Sequence, residues 1–283
     1  MFSSVTTKFK SIVLNNQAYW MNDITYINYV ILLSLFRLKN FSVSNSKYYP
    51  HFKLCKIFYK KQSILFQSPK RISRFIYGFN YAGKRVWKRY NIDELLEGEV
   101  PKTILDVGAN IGEFSNYAYE KYRGGTKIIA FEPDPIAIEC FENNVNNNDI
   151  ILYKLALSNK NGFENFFLKT ESADSSIHKP IGYSITCEVK TIMLDSILEC
   201  NDFEKPILLK MDAEGHEPEV LIGALKSLSQ ISYICIDAGF ERSGSSTSSE
   251  VAQILIDHGF KYVNIQENHV VTARLKWIHQ IVN

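Results

Sequence analysis

Three short runs carry residues whose types and spacing suit chemistry. The first is Asp106-Val107-Gly108-Ala109-Asn110-Ile111-Gly112, which sets an acid at the end of an apolar run and two glycines in the turn behind it. Glycines permit a tight turn and let a ligand approach the backbone. The start of the helix that follows offers N–H groups suited to a carboxylate. A dinucleotide fingerprint needs glycines at relative positions one, three and six, and counting from Gly108 those positions hold Gly108, Asn110 and Glu113. Asp106 and Glu113 also flank the turn with negative charge, which repels a pyrophosphate. An acid at the strand end instead suits an ammonium. The turn therefore fits an amino-acid-like cation such as S-adenosylmethionine, with Asp106 facing its ammonium. The second run is Phe131-Glu132-Pro133-Asp134. An acid at the tip of a second strand accepts both ribose hydroxyls, for either cofactor class. A plainer reading has Gly108 and Gly112 only shaping a turn and Asp106 only capping a helix.

The third run is Leu209-Lys210-Met211-Asp212-Ala213-Glu214-Gly215-His216-Glu217-Pro218. Along an extended segment Lys210, Asp212 and Glu214 would point the same way. Such groups are costly to place idly at the top of a buried strand. Methyl transfer is an in-line displacement on the sulfonium carbon, accelerated largely by alignment. A hydroxyl acceptor also benefits from a base. His216 is the usual residue type for that, and Asp212 or Glu214 serves if desolvated. Against these stand plainer roles: Asp212 as a cofactor contact, Lys210 as a structural ion-pair partner, His216 as a helix cap. Asp212 and Glu214 also suit Mg²⁺ held together with substrate oxygens, but no obvious third acid is identifiable from the sequence, though Asp237 closes the neighbouring strand, and no metal is expected. The loop Ser172–His178 reads as solvated, with polar residues able to reach an acceptor.

Strands and helices must hold these runs in place. Thr103–Val107, Lys127–Phe131, Ile150–Leu155, Ile207–Met211 and Ile231–Ile236 read as buried strands. Between them, Glu113–Tyr122, the stretch after Asp134-Pro135, Glu219–Leu228 and Ser249–His258 read as helices. Residues 158–199 break the pattern and suggest antiparallel strands or an insertion. Phe260–Ile265 and Val270–Trp277, joined by Gln266-Glu267-Asn268, read as a closing antiparallel hairpin. The expected architecture is α/β: a doubly wound, Rossmann-like, mostly parallel seven-stranded sheet of the class I methyltransferase kind.

Charge divides the chain. Residues 1–90 hold sixteen Lys or Arg and one acid, Asp23, while residues 91–283 hold sixteen Lys or Arg and twenty-nine acids. The contrast places a boundary between a basic, aromatic-rich, largely helical region, residues 1–98, and a catalytic domain, residues 99–283. It also suggests an anionic partner for residues 1–90. The apolar stretch Ile24–Leu38 carries Asn28 and Arg37 and is shorter than the ~20 residues of a membrane span, so it reads as a buried or interfacial helix. Five scattered cysteines form no C-x-x-C and read as reduced thiols. With no signal peptide apparent, a cytoplasmic protein is expected, peripheral to a membrane if the basic region meets one.

Residues 103–226 resemble the FkbM-type methyltransferases in the segments ILDVGANIGEFS, IIAFEPDP, LALS, LDSIL and LLKMDAEGHEPEVLIGA. The last is the most specific, since a K-x-D-x-E-G run at the fourth strand is not general to methyltransferases. The resemblance implies O-methylation, often of sugars or glycosylated small molecules. It implies cofactor contacts at Asp106, Gly108, Asn110, Gly112 and Glu132, with Ala156 near the adenine. It leaves Asp237 in doubt, because the family pattern more often has Glu there. Two other readings compete: an NAD-dependent or nucleotide-sugar enzyme, and a non-catalytic module docking on nucleic acid or anionic membrane through residues 1–90. The glycine pattern argues against the first. No nucleic-acid motif supports that part of the second.

Overall fold

The computed structural model describes residues 41–49, 54–59, 62–68, 71–169, 174–180, 182–183, 185–242 and 244–275. The Ile24–Leu38 stretch, Ser172, Ala173 and Trp277 lie outside them.

Seven strands form the main sheet: β4 (Thr103–Val107), β5 (Lys127–Phe131), β6 (Ile150–Tyr153), β10 (Ile207–Met211), β11 (Tyr233–Asp237), β12 (Tyr262–Ile265) and β13 (Val270–Arg274). Their spatial order is β12-β13-β11-β10-β4-β5-β6. Strands β6 to β11 pair in parallel, and β13 runs antiparallel to both β11 and β12. β4, β10 and β11 are buried along their whole length, as central parallel strands covered on both faces must be. Chain order reverses at β4, which has β10 on one side and β5 on the other. That switch point lies where the glycine turn and the Lys210 run both emerge. The doubly wound sheet and its closing hairpin match the sequence reading.

The helices follow local signals. α4 (Glu113–Tyr122) ends at Arg123 and Gly124, both left-handed. α5 (Pro135–Asn144) starts on Asp134, whose carboxylate accepts from the Ile136 N–H at 2.8 Å and the Ala137 N–H at 3.3 Å. α6 (Leu194–Glu199), α7 (Glu217–Ile222) and α8 (Ser248–Asp257) cover the opposite face through a core including Leu105, Leu209, Val220 and Leu255. Residues 156–192 form a small side sheet, ordered β7 (Ala156–Leu157), β9 (Ile185–Ile192), β8 (Gly162–Leu168), with β8 and β9 antiparallel. This is the expected break in the alternation.

The described part of the N-terminal region is mixed rather than largely helical. An antiparallel sheet of β1 (Phe41–Tyr49), β2 (Leu54–Tyr59) and β3 (Gln62–Gln67) precedes the short helices α1 (Ile72–Phe75), α2 (Phe79–Arg89) and α3 (Ile92–Leu96). Gln62–Gln67 (QSILFQ) has no alternation and is buried from Ile64 on, so it lacks the period-two signature of a half-exposed strand. Ile64, Phe66, Phe75, Phe79, Trp87 and Tyr90 join Ile104, Phe114, Ile128 and Phe141 in one core. Trp87 stacks on Phe114 with ring centroids 5.8 Å apart. Asn144 clamps β3 to α5, accepting from the Leu65 N–H and donating to the Leu65 carbonyl, each at 2.7 Å.

Candidate active site

A cleft of about 1060 Å³ opens at the carboxyl ends of β4, β5 and β10. One wall is apolar and carries Phe131, Leu155, Ala156 and Leu157. Glu132 is buried beside it, with one carboxylate oxygen accepting from the Asn110 N–H at 2.6 Å and the other from the Asp134 N–H at 2.8 Å. Burial, reinforced by Asp134, pushes its pKa up to about 8. Gly108 and Asn110 also line the cleft.

The glycines answer to packing. A Cβ on Gly108 would lie 1.9 Å from the Asp212 carbonyl oxygen, and one on Gly112 2.4 Å from Val145. Both residues have positive φ, +70° and +90°. The turn thus needs glycine whatever occupies the cleft. Its donors are also engaged: the Gly108 and Ala109 N–H groups bond the Phe131 carbonyl, and that of Gly112 bonds Ala109.

Asp106 is not on the cleft lining. It is fully buried and paired with Lys210, Nζ to Oδ1 at 3.0 Å, while Ser115 Oγ donates to its other oxygen at 2.6 Å. Register sets this up, since Lys210 faces Asp106 across the parallel β4–β10 pair. Lys210 also donates to the carbonyls of Gly108 at 3.0 Å and Val107 at 3.3 Å. Burial works against its charge, but Asp106 and Asp212 outweigh it and raise the Lys210 pKa. Asp106 was expected to meet a ligand ammonium; in the structure its described partners are Lys210 and Ser115.

Lys210, Asp212, Glu214 and His216 all line the cleft, but not by extended alternation. The strand stops at Met211, and Glu214 is left-handed, with φ 50°. Glu217 shapes this turn: one carboxylate oxygen accepts from the N–H groups of Ala213 at 3.2 Å and Gly215 at 2.9 Å, and Thr247 donates to the other at 2.9 Å. Sequence reasoning passed over Glu217, although an acid opening a helix behind a Gly-containing turn is a usable signal. Burial, then Asp212 and Asp174, raise the Glu214 pKa well above the usual carboxylate range.

His216 has both ring nitrogens engaged, Nε2 with buried Ser158 Oγ at 3.0 Å and Nδ1 with His178 Nε2 at 3.2 Å. Burial lowers its pKa to about 4. The ring is therefore neutral at neutral pH, with a protein partner at each nitrogen. His178, His216 and Glu219 have the spacing of metal ligands. Arg242 bonds Glu219 and lies 3.3 Å from His178 Nε2, so a guanidinium already supplies the positive charge there. Along the expected solvated loop, Asp174–Ile177 line the cleft, and Ser176 Oγ donates to the Glu214 carbonyl at 2.7 Å.

Several cleft residues escaped sequence reasoning. Gln67, Arg74, Arg89 and Tyr90 come from the N-terminal region, and Glu241 follows β11. Arg89 pairs with Asp237, the residue the resemblance had left in doubt. Burial and Asp212 raise the Asp237 pKa to about 7.

The Methyltransferase FkbM domain family matches residues 106–262. The hexuronic acid methyltransferase AglP of Haloferax volcanii is 28% identical over 180 residues, spanning 59% of this chain and 72% of that protein. The 2-O-methyltransferase NoeI of Sinorhizobium fredii is 26% identical over 193 residues, spanning 62% of this chain and 79% of that protein. A crystal structure described as Methyltransferase FkbM, from Methylobacillus flagellatus KT, aligns with a TM-score of 0.44 at 16% identity, over 72% of this chain and 54% of that one.

Proposed function

The chain belongs to the FkbM methyltransferase family, and from that premise we propose that it moves a methyl group from S-adenosylmethionine to a sugar hydroxyl, on a glycan or a glycosylated small molecule. The observation that carries this reading is the layout of the cleft at the switch point. An apolar wall with Ala156 suits adenine, Glu132 suits the ribose, and the acids Asp212, Glu214, Asp237 and Glu241 gather at the far end. The bound cofactor supplies an electrophilic methyl carbon. Asp212, at the tip of β10, is the residue we favour to accept the acceptor proton. Glu214, on the cleft lining beside it, hydrogen-bonds the acceptor, and Lys210 holds the Gly108 carbonyl and so fixes the turn. The two characterised relatives, named for a hexuronic acid and for 2-O-methylation, support a sugar acceptor. The failed dinucleotide pattern leaves an NAD-dependent enzyme without support.

The test is calorimetry with S-adenosylmethionine, followed by transfer of labelled methyl to a panel of neutral, acidic and amino oligosaccharides. Folded protein that binds no cofactor at millimolar concentration overturns the reading. Asp212→Asn is expected to lower kcat by about 10²-fold or more with cofactor affinity changed far less.

We also infer that the basic region brings the enzyme to an anionic membrane surface. Lys84, Arg85 and Lys88 are exposed on α2, which contains no acid, and none is in an ion pair among the described residues. Among the described residues no helix is long and apolar enough to cross a membrane. Sedimentation with phosphatidylserine vesicles should fall for the triple variant K84E/R85E/K88E. Equal sedimentation removes the membrane from the account.

A further inference from the structure

The cofactor's amino-acid end needs a partner for an ammonium and one for a carboxylate. Of the two expected partners, Asp106 is fully buried and off the cleft lining, and the turn's N–H groups are engaged. Asp106 is paired with Lys210, and the N–H groups of Gly108, Ala109, Asn110 and Gly112 already bond protein acceptors. The same end of the cleft holds a different pair. Arg74, on α1, places Nη2 2.7 Å from Oε1 of Glu113, the first residue of α4. Both line the cleft, with the Arg74 side chain 40% exposed and that of Glu113 3%.

A second arginine backs the first. Arg71 is buried, and its Nη1 donates to Gln67 Oε1 and, at 3.4 Å, to Asn110 Oδ1. Its Nη2 has no hydrogen-bond partner among the described residues. Burial and the nearby Arg74 charge lower the Arg71 pKa to about 10, so it remains a cation at neutral pH. Two guanidiniums thus lie near the Glu113 carboxylate, which pairs with Arg74 and acts on Arg71, and Asp174 adds a weaker pull on Arg71. This leaves an excess positive charge and an unfilled donor beside the glycine turn. A zwitterion laid against them would make an alternating set of charges.

We propose that Arg74 takes the carboxylate and Glu113 the ammonium of the cofactor's amino-acid end, with Arg71 positioning Gln67 and Asn110 behind them. The assignment rests on the methyltransferase reading. It means that a segment before the family match, which begins at residue 106, completes the cofactor site. The packing makes this segment a fixed wall. Gly83 of α2 sits so close to α4 that a Cβ would lie 1.9 Å from the Glu113 carbonyl oxygen.

Two ligands isolate the contact. S-adenosylhomocysteine carries the amino-acid end, and 5′-methylthioadenosine keeps adenine, ribose and sulfur without it. In calorimetry on the full chain, Arg74→Met should weaken S-adenosylhomocysteine about tenfold or more and leave 5′-methylthioadenosine unchanged. Arg74→Lys should restore part of the loss. An unchanged S-adenosylhomocysteine affinity, or equal losses for both ligands, overturns the inference while the methyltransferase reading stands. Wild-type protein that binds neither ligand removes the reading, and the inference with it.

Discussion

Lys210 shows how one side chain does a job its position in the sequence only half reveals. A lysine inside a wholly buried strand needs an opposite charge, and Asp106 is the one its register supplies. Lys210→Met leaves the Asp106 carboxylate buried without its counter-charge. Chemical denaturation should show a loss of about 3–5 kcal/mol, and Lys210→Met with Asp106→Leu should recover most of it. The acids give a second prediction. Glu132, Glu217 and Asp237 have folded pKa values raised by burial to about 8, 7 and 7. Each therefore holds its proton more tightly folded than unfolded, so its contribution is full below the unfolded value and is lost as pH rises through the folded one. The melting temperature of the ligand-free protein should fall between pH 6.5 and 8. Glu132→Gln should flatten that slope and also weaken cofactor binding. A melting temperature that rises over this range would contradict the burial of these carboxyls. His216 and Glu219, lowered to about 4 and about 2, act oppositely and only toward acid pH.

At the scale of elements, the part matching the family was legible because its central strands are continuous apolar runs and some helix boundaries carry local signals, such as Asp134-Pro135. Asp134-Pro135 and the Tyr122 boundary of α4 fall where local chemistry puts them. What was not legible depends on pairing across distance. Only the β4–β10 register places Lys210 on Asp106, and only the left-handed turn at Glu214 undoes the alternation that strand periodicity suggests. The N-terminal strands were missed in part because β3 packs on α5, so its buried run lacks a clean period. The contact of α2 with α4 is likewise invisible in the sequence, since Gly83 reads there as a helix-weakening residue. Gly83→Ala raises intrinsic helix propensity, yet its Cβ would lie 1.9 Å from the Glu113 carbonyl and 2.6 Å from Tyr117 Cβ. The expected net effect is destabilisation by about 1–3 kcal/mol in urea titration, together with weaker S-adenosylhomocysteine binding. A more stable variant would mean that the helix-to-helix contact is looser than it stands.

For the whole molecule, charge and packing divide the chain differently. Net charge changes sign near residue 90, which favours a boundary there, and the division into residues 1–98 and 99–283 remains our proposal for how the sequence is organised. The core ignores that line: Leu54, Phe66, Phe75 and Trp87 pack in one cluster with Phe114, Ile128 and Phe141. Cutting after residue 98 would expose the sides of α4 and α5 that face this cluster. It would also remove Gln67, Arg74, Arg89 and Tyr90 from the cleft. A fragment of residues 99–283 should therefore bind a hydrophobic dye, melt with weakened cooperativity and bind S-adenosylhomocysteine poorly. The opposite result is informative as well. If the fragment melts in one sharp transition and binds the cofactor as the full chain does, the basic region is an appendage with its own task, and the membrane or the acceptor becomes its natural address. The packing argues for the first outcome, because a face as apolar as that formed by Phe114, Ala118, Cys140 and Phe141 is stable in water only when something covers it.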